Sequence, residues 1–452
     1  MKIFSSAYSE FKQLMPIAIP AVLSQLAQMA MGVIDTLMAG HYSNEALAAI
    51  AIGTSLLHPV LVFFLGLFLA FNPIVAHFKG GNTEEKIASH FRLGIFLAVI
   101  FCPIAILILL NAQYILVFLN VNQQVAELAT GYLHATVWGM PGLLIFLALR
   151  FCNEGLFSTT AIMIATLISI PFNIVFNYWF MYGGTFMGIF HVEEMGAVGV
   201  GYATSLVWTM MCIGLWLYTA FTPKYKNLEI FTHKTLPGWH EIKDVLKLGF
   251  PMAITLGFEI TMFAAVSLMI ARYPTEVMGA HQIAVNIASI SFMIPLGISQ
   301  AITARVGYFA GKKDPLKTQL AGFTGIGTSA LISGFSATTM VVIPALLVGF
   351  YTSDIRVSDI AVSLLFFAAI FQFSDALQVS SAGALRGVKD TKIPMIITAV
   401  SYWLVGFPVG YLLAENYQMQ ASGYWIGLIA GLSTAALLLF RRWMHMSKFL
   451  NT

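Results

Sequence analysis

Three carboxylates stand inside long apolar stretches of this 452-residue chain: Asp35, Glu259 and Asp375. A charged acid at membrane depth costs about 2.5–3.5 kcal/mol even on lenient insertion scales, so it normally faces a bundle interior or a watered cavity and has a use there. In a low-dielectric cavity an unpaired carboxylate holds a proton more readily, and it can take a small cation when neighbouring oxygens complete the shell. Asn173 and Asn177, four residues apart on one helical face, could offer carbonyl oxygens to whatever Asp35 binds. Helix-to-helix hydrogen bonding accounts for the two asparagines equally well. Gln282 and Asn286 have the same spacing and the same two readings. No lysine or arginine reads as lying inside a span to pair with the three acids, and the remaining acidic residues read as loop, span-end or linker positions. This is the chemistry of a coupling-ion site. Other chemistries lack their parts: there is no Gly-x-x-x-x-Gly-Lys-Ser/Thr phosphate loop, and no cluster of His and Cys at metal-ligand spacing. Cys102, Cys152 and Cys212 are odd in number and scattered through apolar spans, which reads as buried structural cysteine. No enzyme, no cofactor and no nucleic-acid partner is expected.

The elements that carry these residues must cross a membrane. Hydrophobic residues make up 58% of the chain and charged residues 10%, against about 25% charged in soluble domains. No cleavable leader is read at the N-terminus. Taking apolar runs of about 20 residues or more as spans, twelve are expected, at 13–39, 46–77, 91–110, 124–150, 160–182, 196–221, 245–271, 276–308, 318–349, 358–385, 393–413 and 420–444. Loop chemistry separates them, as in Lys79-Gly80-Gly81-Asn82 and Gly311-Lys312-Lys313-Asp314-Pro315. The chain also repeats itself without a gap at an offset of 231: Pro20 falls on Pro251, Tyr42 on Tyr273, Gly66 on Gly297 and Gly80 on Gly311. The expected fold is therefore all-α and integral to the membrane, with two six-helix lobes related by a pseudo-two-fold axis along the membrane normal. The expected division is 1–222 for the N-terminal lobe, 223–244 for a polar linker with Lys224, Lys226, Lys234 and Lys243, and 245–452 for the C-terminal lobe. Numbering the loops alternately puts 21 of the 23 basic residues on one side, leaving Arg272 and Arg356 on the other. The basic side is cytoplasmic by the positive-inside rule, so both termini are expected in the cytoplasm.

Under the 231 offset Asp35 aligns with Val266, whereas Glu259 aligns with Gln28, seven residues earlier than Asp35. Two helical turns are about 10 Å of axis, so the acids of the two lobes are expected at different depths, with Asp375 near the depth of Glu259. Prolines in the spans, Pro20 and Pro251 foremost, free carbonyls and favour bending.

Taken together, Pro20 with Asp35-Thr-Leu-Met-Ala-Gly40, Leu47-Ala-Ala-Ile, Asn153-Glu-Gly155, Gly257-Phe-Glu259, Gly279-Ala-His-Gln282, Arg305-Val-Gly307 and Gly383-Ala-Leu-Arg-Gly387 resemble the multidrug and toxic compound extrusion (MATE) family, in its bacterial NorM-like branch. The resemblance covers essentially the whole chain. It implies two lobes that rock between inward-facing and outward-facing states, exporting cationic amphipathic compounds in exchange for Na+ or H+. It further implies Asp35 with Asn173 and Asn177 as an N-lobe cation site, Glu259 with Asp375 as a C-lobe site able to hold Na+, and Asp354 as a substrate contact; Gln282 is a candidate supporting contact by its spacing alone. Where NorM-like relatives often carry tyrosine near the C-lobe site, this chain has Phe292 and Phe371, which keep an aromatic face for a cation. The segment Phe157-Ser-Thr-Thr-Ala161 lacks the arginine and proline usual after that Glu-Gly. The expected setting is a bacterial cytoplasmic membrane with surrounding lipid, and the expected working unit is a monomer. The rival reading is a flippase for an anionic lipid-linked precursor, which would require basic residues within the cavity.

Overall fold

A computed structural model describes residues 2–118, 121–186, 190–231 and 238–449. Lys234, assigned above to the linker, lies outside the described residues.

Apolar runs too long for a soluble core become helices because a membrane span must satisfy its backbone hydrogen bonds within itself. Among the described residues these are α1 (Lys2–Tyr42), α2 (Asn44–Gly80), α3 (Glu84–Leu110), α4, a bent pair (Gln123–Val137 and Met140–Gly155) with a 53° break, α5 (Thr159–Tyr182) and α6 (Ala197–Phe221). The second half follows with α7 (Trp239–Ile270), α8 (Thr275–Gly311), α9 (Pro315–Val342), α10 (Ile355–Gly387), α11 (Lys392–Asn416) and α12 (Gln420–Phe449). Twelve spans result, with the bent pair counted as one. α7 begins at Trp239, inside the stretch read as linker from sequence, because Glu241 accepts from the Gly238 N–H and opens the helix early. Between α5 and α6 lies a small antiparallel hairpin, β1 (Gly184–Phe186) and β2 (Phe190–Val192), with Thr185 opposite His191.

Local chemistry sets several helix ends. Ser43 Oγ accepts from the Ala46 N–H at the start of α2. Asp314 does the same for α9 from Lys317 N, with Pro315 at the first helical position. Large apolar side chains such as Leu107, Leu331, Phe335, Leu404 and Leu437 are exposed around the outside, as a lipid-facing surface requires.

The repeat reappears as contact geometry. Gly66 of α2 lies against Ala253 of α7, and Gly297 of α8 lies against Val22 of α1; a Cβ on either glycine would come within 2.5–2.6 Å of the opposing backbone. Val22 and Ala253 are themselves 231 apart, so these two contacts are symmetry mates. The same holds for Gly80 against the Tyr308 carbonyl and Gly311 against the His77 carbonyl, where a Cβ would come to 1.9 and 2.0 Å. Only glycine allows backbones to approach so closely. The glycines shared by the two copies are therefore where the lobes meet.

All these contacts lie in one half of the molecule. Glu10 with Arg305, Ser89 with Glu241, Asn72 with Gln300, Phe63 with Phe250 and Phe157 with Tyr308 join the lobes there as well. It is the half that carries the described chain ends, since Leu14 of α1 and Trp443 of α12 share one apolar cluster. Among the described residues no hydrogen bond, ion pair or ring contact joins the lobes in the other half. The close contacts that join the lobes are thus on the side of the termini.

Candidate ion and substrate site

In the N-terminal lobe the structure brings together the three residues singled out in sequence. Asp35 on α1 accepts from Asn173 Nδ2 at 2.9 Å and Asn177 Nδ2 at 2.6 Å, both on α5. The asparagines are buried while Asp35 is partly exposed. Asn177 Oδ1 is buried with no hydrogen-bond partner, leaving an oxygen beside the carboxylate. A buried polar atom without a partner costs about 1–3 kcal/mol, so such atoms mark places where a water, proton or ion completes the bonding.

In the C-terminal lobe Glu259 on α7 is half-buried and Asp375 on α10 is buried. Asp375 lies within Coulombic reach of Glu259. Asp375 Oδ1, Gln372 Oε1 and Gln378 Oε1 are all buried without hydrogen-bond partners. They recur every third residue of α10, each about 60° around the helix from the last, and so spread over about a third of its circumference. Gln372 is held by its amide, which donates to the Ala288 carbonyl at 2.6 Å, turning its oxygen free. The unpartnered Asp375 Oδ1 and the Glu259 carboxylate within its reach have the oxygen chemistry that suits a hard cation or a proton. Among the described residues no group of three or more His, Cys, Asp and Glu forms a transition-metal site.

The remaining sequence candidates are placed differently. Asp354 caps α10, accepting from the Arg356 N–H at 2.9 Å, so one of its oxygens has a structural task. Gln282 is exposed on α8, while its companion Asn286 accepts from the Tyr351 hydroxyl at 3.2 Å. Phe292 is half-buried. Phe371 is buried between Phe263 and Trp425 in edge contacts of 5.8 and 5.9 Å. Pro20 and Pro251 lie inside α1 and α7 without ending them.

Two expectations are corrected. Basic residues do lie inside: Arg150, read as the end of a span, is fully buried on α4, and Arg386 is buried on α10. Acidic residues outside the original three are also buried. Glu154 accepts from Arg150 Nε at 2.9 Å and from Asn72 Nδ2 at 3.2 Å, and Glu10 takes Arg305 through two bonds of 2.7 and 2.6 Å. Arg150 also reaches Gln25 at 2.9 Å and Gln28 at 3.1 Å on α1, and Gln300 of the other lobe at 3.5 Å. Arg386 donates to Ser299 Oγ at 2.5 Å and lies in Coulombic reach of both Glu259 and Glu154. The ends of long hydrophobic helices are here pressed against the other lobe rather than into water, so charges near span ends need partners.

One residue went unremarked in the sequence. Tyr402 on α11 is buried with its hydroxyl unpartnered, and both Glu259 and Asp375 act on it electrostatically. It sits in a π-helical turn, Val400–Gly406, of the kind often found at functional sites. That turn could have been suspected from the glycines Gly406 and Gly410 around Pro408. Tyr402 supplies from α11 the phenol that Phe292 and Phe371 lack.

Two pseudo-symmetric six-helix lobes with buried acids in each, joined on the side of the termini, have the architecture of a membrane transporter. The MatE family profile matches residues 20–179 and 251–412, two stretches whose starts are 231 apart. The chain is 36% identical over 443 residues to "Multidrug resistance protein NorM" of Aliivibrio fischeri, covering 97% of this chain and 95% of that one. It also superposes on a eukaryotic MATE transporter with a TM-score of 0.88 at 20% identity, covering 98% of this chain and 99% of that one. An outward-facing multidrug resistance MATE transporter superposes with a TM-score of 0.87 at 18% identity over 97% and 96% of the two chains. The chain belongs to the MATE family, in its NorM-like branch, and is a transporter rather than an enzyme.

Proposed function

We propose that this transporter is a secondary antiporter that exports cationic amphipathic compounds in exchange for Na+ or H+. The observation that carries the reading is buried Asp375, its Oδ1 unpartnered, within Coulombic reach of Glu259, with the unpartnered Tyr402 hydroxyl within reach of both acids. A cation or proton arriving there neutralises the acids, and an organic cation held by the same charge is released. Competition for one carboxylate is the simplest way to couple two fluxes. The Asp35, Asn173 and Asn177 cluster is a second, inequivalent cation site in this reading. One charge crossing 100 mV releases about 2.3 kcal/mol before any concentration term, enough to bias a conformational equilibrium by more than tenfold. The name of the relative in Aliivibrio fischeri and the acidic sites support efflux of drugs as the task. With the basic side cytoplasmic, the joined half faces inward, and in this reading the described state is the one that releases substrate and admits the ion on the other side.

The boundaries 1–222 and 245–452 are proposed as the moving bodies, turning at the glycine contacts. Arg150 and Arg386 are the interior bases that a flippase reading asks for, but both face acids or hydroxyls within the closed interface, which favours the antiporter.

The test is ethidium efflux from energised vesicles under an imposed sodium gradient at fixed pH, and separately under a pH gradient without sodium. Export driven by either gradient, and abolished by Glu259→Gln or Asp375→Asn in folded protein, supports the reading. Export that survives Asp35→Asn, Glu259→Gln and Asp375→Asn alike would refute it.

A further inference from the structure

We propose that the interface carries a second ligand site, for an anionic phosphate group, between the lobes on the side of the termini. A cavity of about 1000 Å³ opens there. Lys79 of one lobe and Arg305, Lys312 and Lys317 of the other line it, and Glu10 is its one lining acid, so its wall has a net charge of +3. Glu10 is fully engaged by Arg305, and among the described residues Lys79 and Lys312 have no acid partner, while Lys317 is only loosely paired.

Their arrangement suits an anion. Lys79 Nζ donates to the Leu156 carbonyl at 2.9 Å and stands 3.7 Å from the Phe157 ring centroid. An ammonium has three donors, and this neutral acceptor engages one of them. Lys79 and Lys312 approach the same ring, that of Tyr308, at 5.9 and 4.9 Å from its centroid, with no acid between them. Lys317 faces the cavity from the first turn of α9, and its ion pair with Asp314 is loose, at 3.5 Å and largely exposed. Two or three ammonium groups around one space recognise phosphate oxygens by charge-assisted hydrogen bonds. The hydroxyls of Ser5 and Ser9 add donors from α1.

The lip of the cavity names the preferred source of the phosphate. Leu316, 72% exposed, and Leu320 flank it on α9. A charged hollow beside an exposed apolar flank fits a headgroup with its acyl chain, so the ligand is an anionic phospholipid; a free phosphate ion shares the headgroup chemistry without the tail. Anionic lipids are drawn to such basic juxtamembrane groups. Because the walls come from both lobes, the site is complete in the state closed on this side, and a ligand that binds only there favours that state. This last consequence rests on the rocking reading, whereas the site itself does not.

The experiment is calorimetric binding of dihexanoyl-phosphatidylglycerol, and separately of inorganic phosphate, to the detergent-solubilised full chain. The double variant Lys312→Ala/Lys317→Ala and, as a control on the opposite side of the molecule, Arg272→Ala are measured alongside. The expected result is saturable lipid binding that weakens at least tenfold in the double variant and is unchanged in the control. Inorganic phosphate competing at millimolar concentration with the same dependence assigns the site to phosphate in general; lipid binding without such competition assigns it to lipid. Equal binding by wild type and the double variant, or no binding of either probe, overturns the site. Spin labels at Glu85→Cys and Lys392→Cys in nanodiscs with and without phosphatidylglycerol then read the conformational consequence, and immobile lobes with intact binding would indict the rocking reading alone.

Discussion

At the scale of single residues, the chain separates two uses of buried charge. Arg150 and Glu154 form a hydrogen-bonded pair that also engages Gln25, Gln28 and Asn72, whereas Asp375 Oδ1 is buried without a partner. The first arrangement holds structure; the second is the one proposed to take the coupling ion. Removing one member of a buried pair leaves an uncompensated charge, at about 3–5 kcal/mol. Arg150→Ala is therefore expected to lower thermal stability in detergent sharply, and Arg150→Gln combined with Glu154→Gln to lower it less than Arg150→Ala alone. Tyr402→Phe tests the other use. It removes only an unpartnered hydroxyl, so folding and melting temperature should be unchanged while gradient-driven efflux falls severalfold. Unchanged efflux would remove Tyr402 from the ion path. Nothing in the type of Tyr402 distinguished it from other tyrosines, and Arg150 read as an ordinary span end; what makes them matter is the group opposite.

At the scale of elements, glycine determines which helices touch. Gly427 of α12 packs on Gly410 of α11, where a Cβ would come within 2.4 Å of the Gly410 Cα. Gly427→Val is expected to force α11 away, disturb the π-helical turn that bears Tyr402, and reduce both yield and efflux. The interlobe glycines make a sharper prediction. Because Gly80 and Gly311 meet backbone carbonyls in symmetry-related contacts, Gly80→Ala and Gly311→Ala should each hinder closure on the side of the termini and to a similar degree. Accessibility of a reporter cysteine in that half, measured with a membrane-impermeant thiol reagent, would read this. A large asymmetry between the two variants would show that the lobes do not close as symmetric bodies. These glycines were visible in the sequence as matching pairs, but their partners were not, since a repeat shows which positions are equivalent and not which ones touch.

At the scale of the whole molecule, transport requires the closed half to open. Glu10 and Arg305 bind across it with both side chains buried, so a short bifunctional thiol crosslinker between Glu10→Cys and Arg305→Cys should trap the described state and stop efflux. Cys102, Cys152 and Cys212 are buried and should not interfere. Continued efflux in crosslinked protein would exclude an opening of this half from the cycle. By itself the sequence determined the number of spans, the twofold internal repeat and the acids lying at membrane depth. Each follows from quantities local to the chain: the length of an apolar run, the offset of a self-match, a charge among apolar neighbours. Only the tertiary structure decided which side of the lobes is closed, that Arg150, Glu154, Glu10 and Arg305 are interior, and that Tyr402 joins Glu259 and Asp375. Lipid-facing and buried positions are equally apolar in a membrane protein, so hydropathy cannot tell them apart, and a partner such as Glu10 for Arg305, 295 residues away, is specified by packing alone.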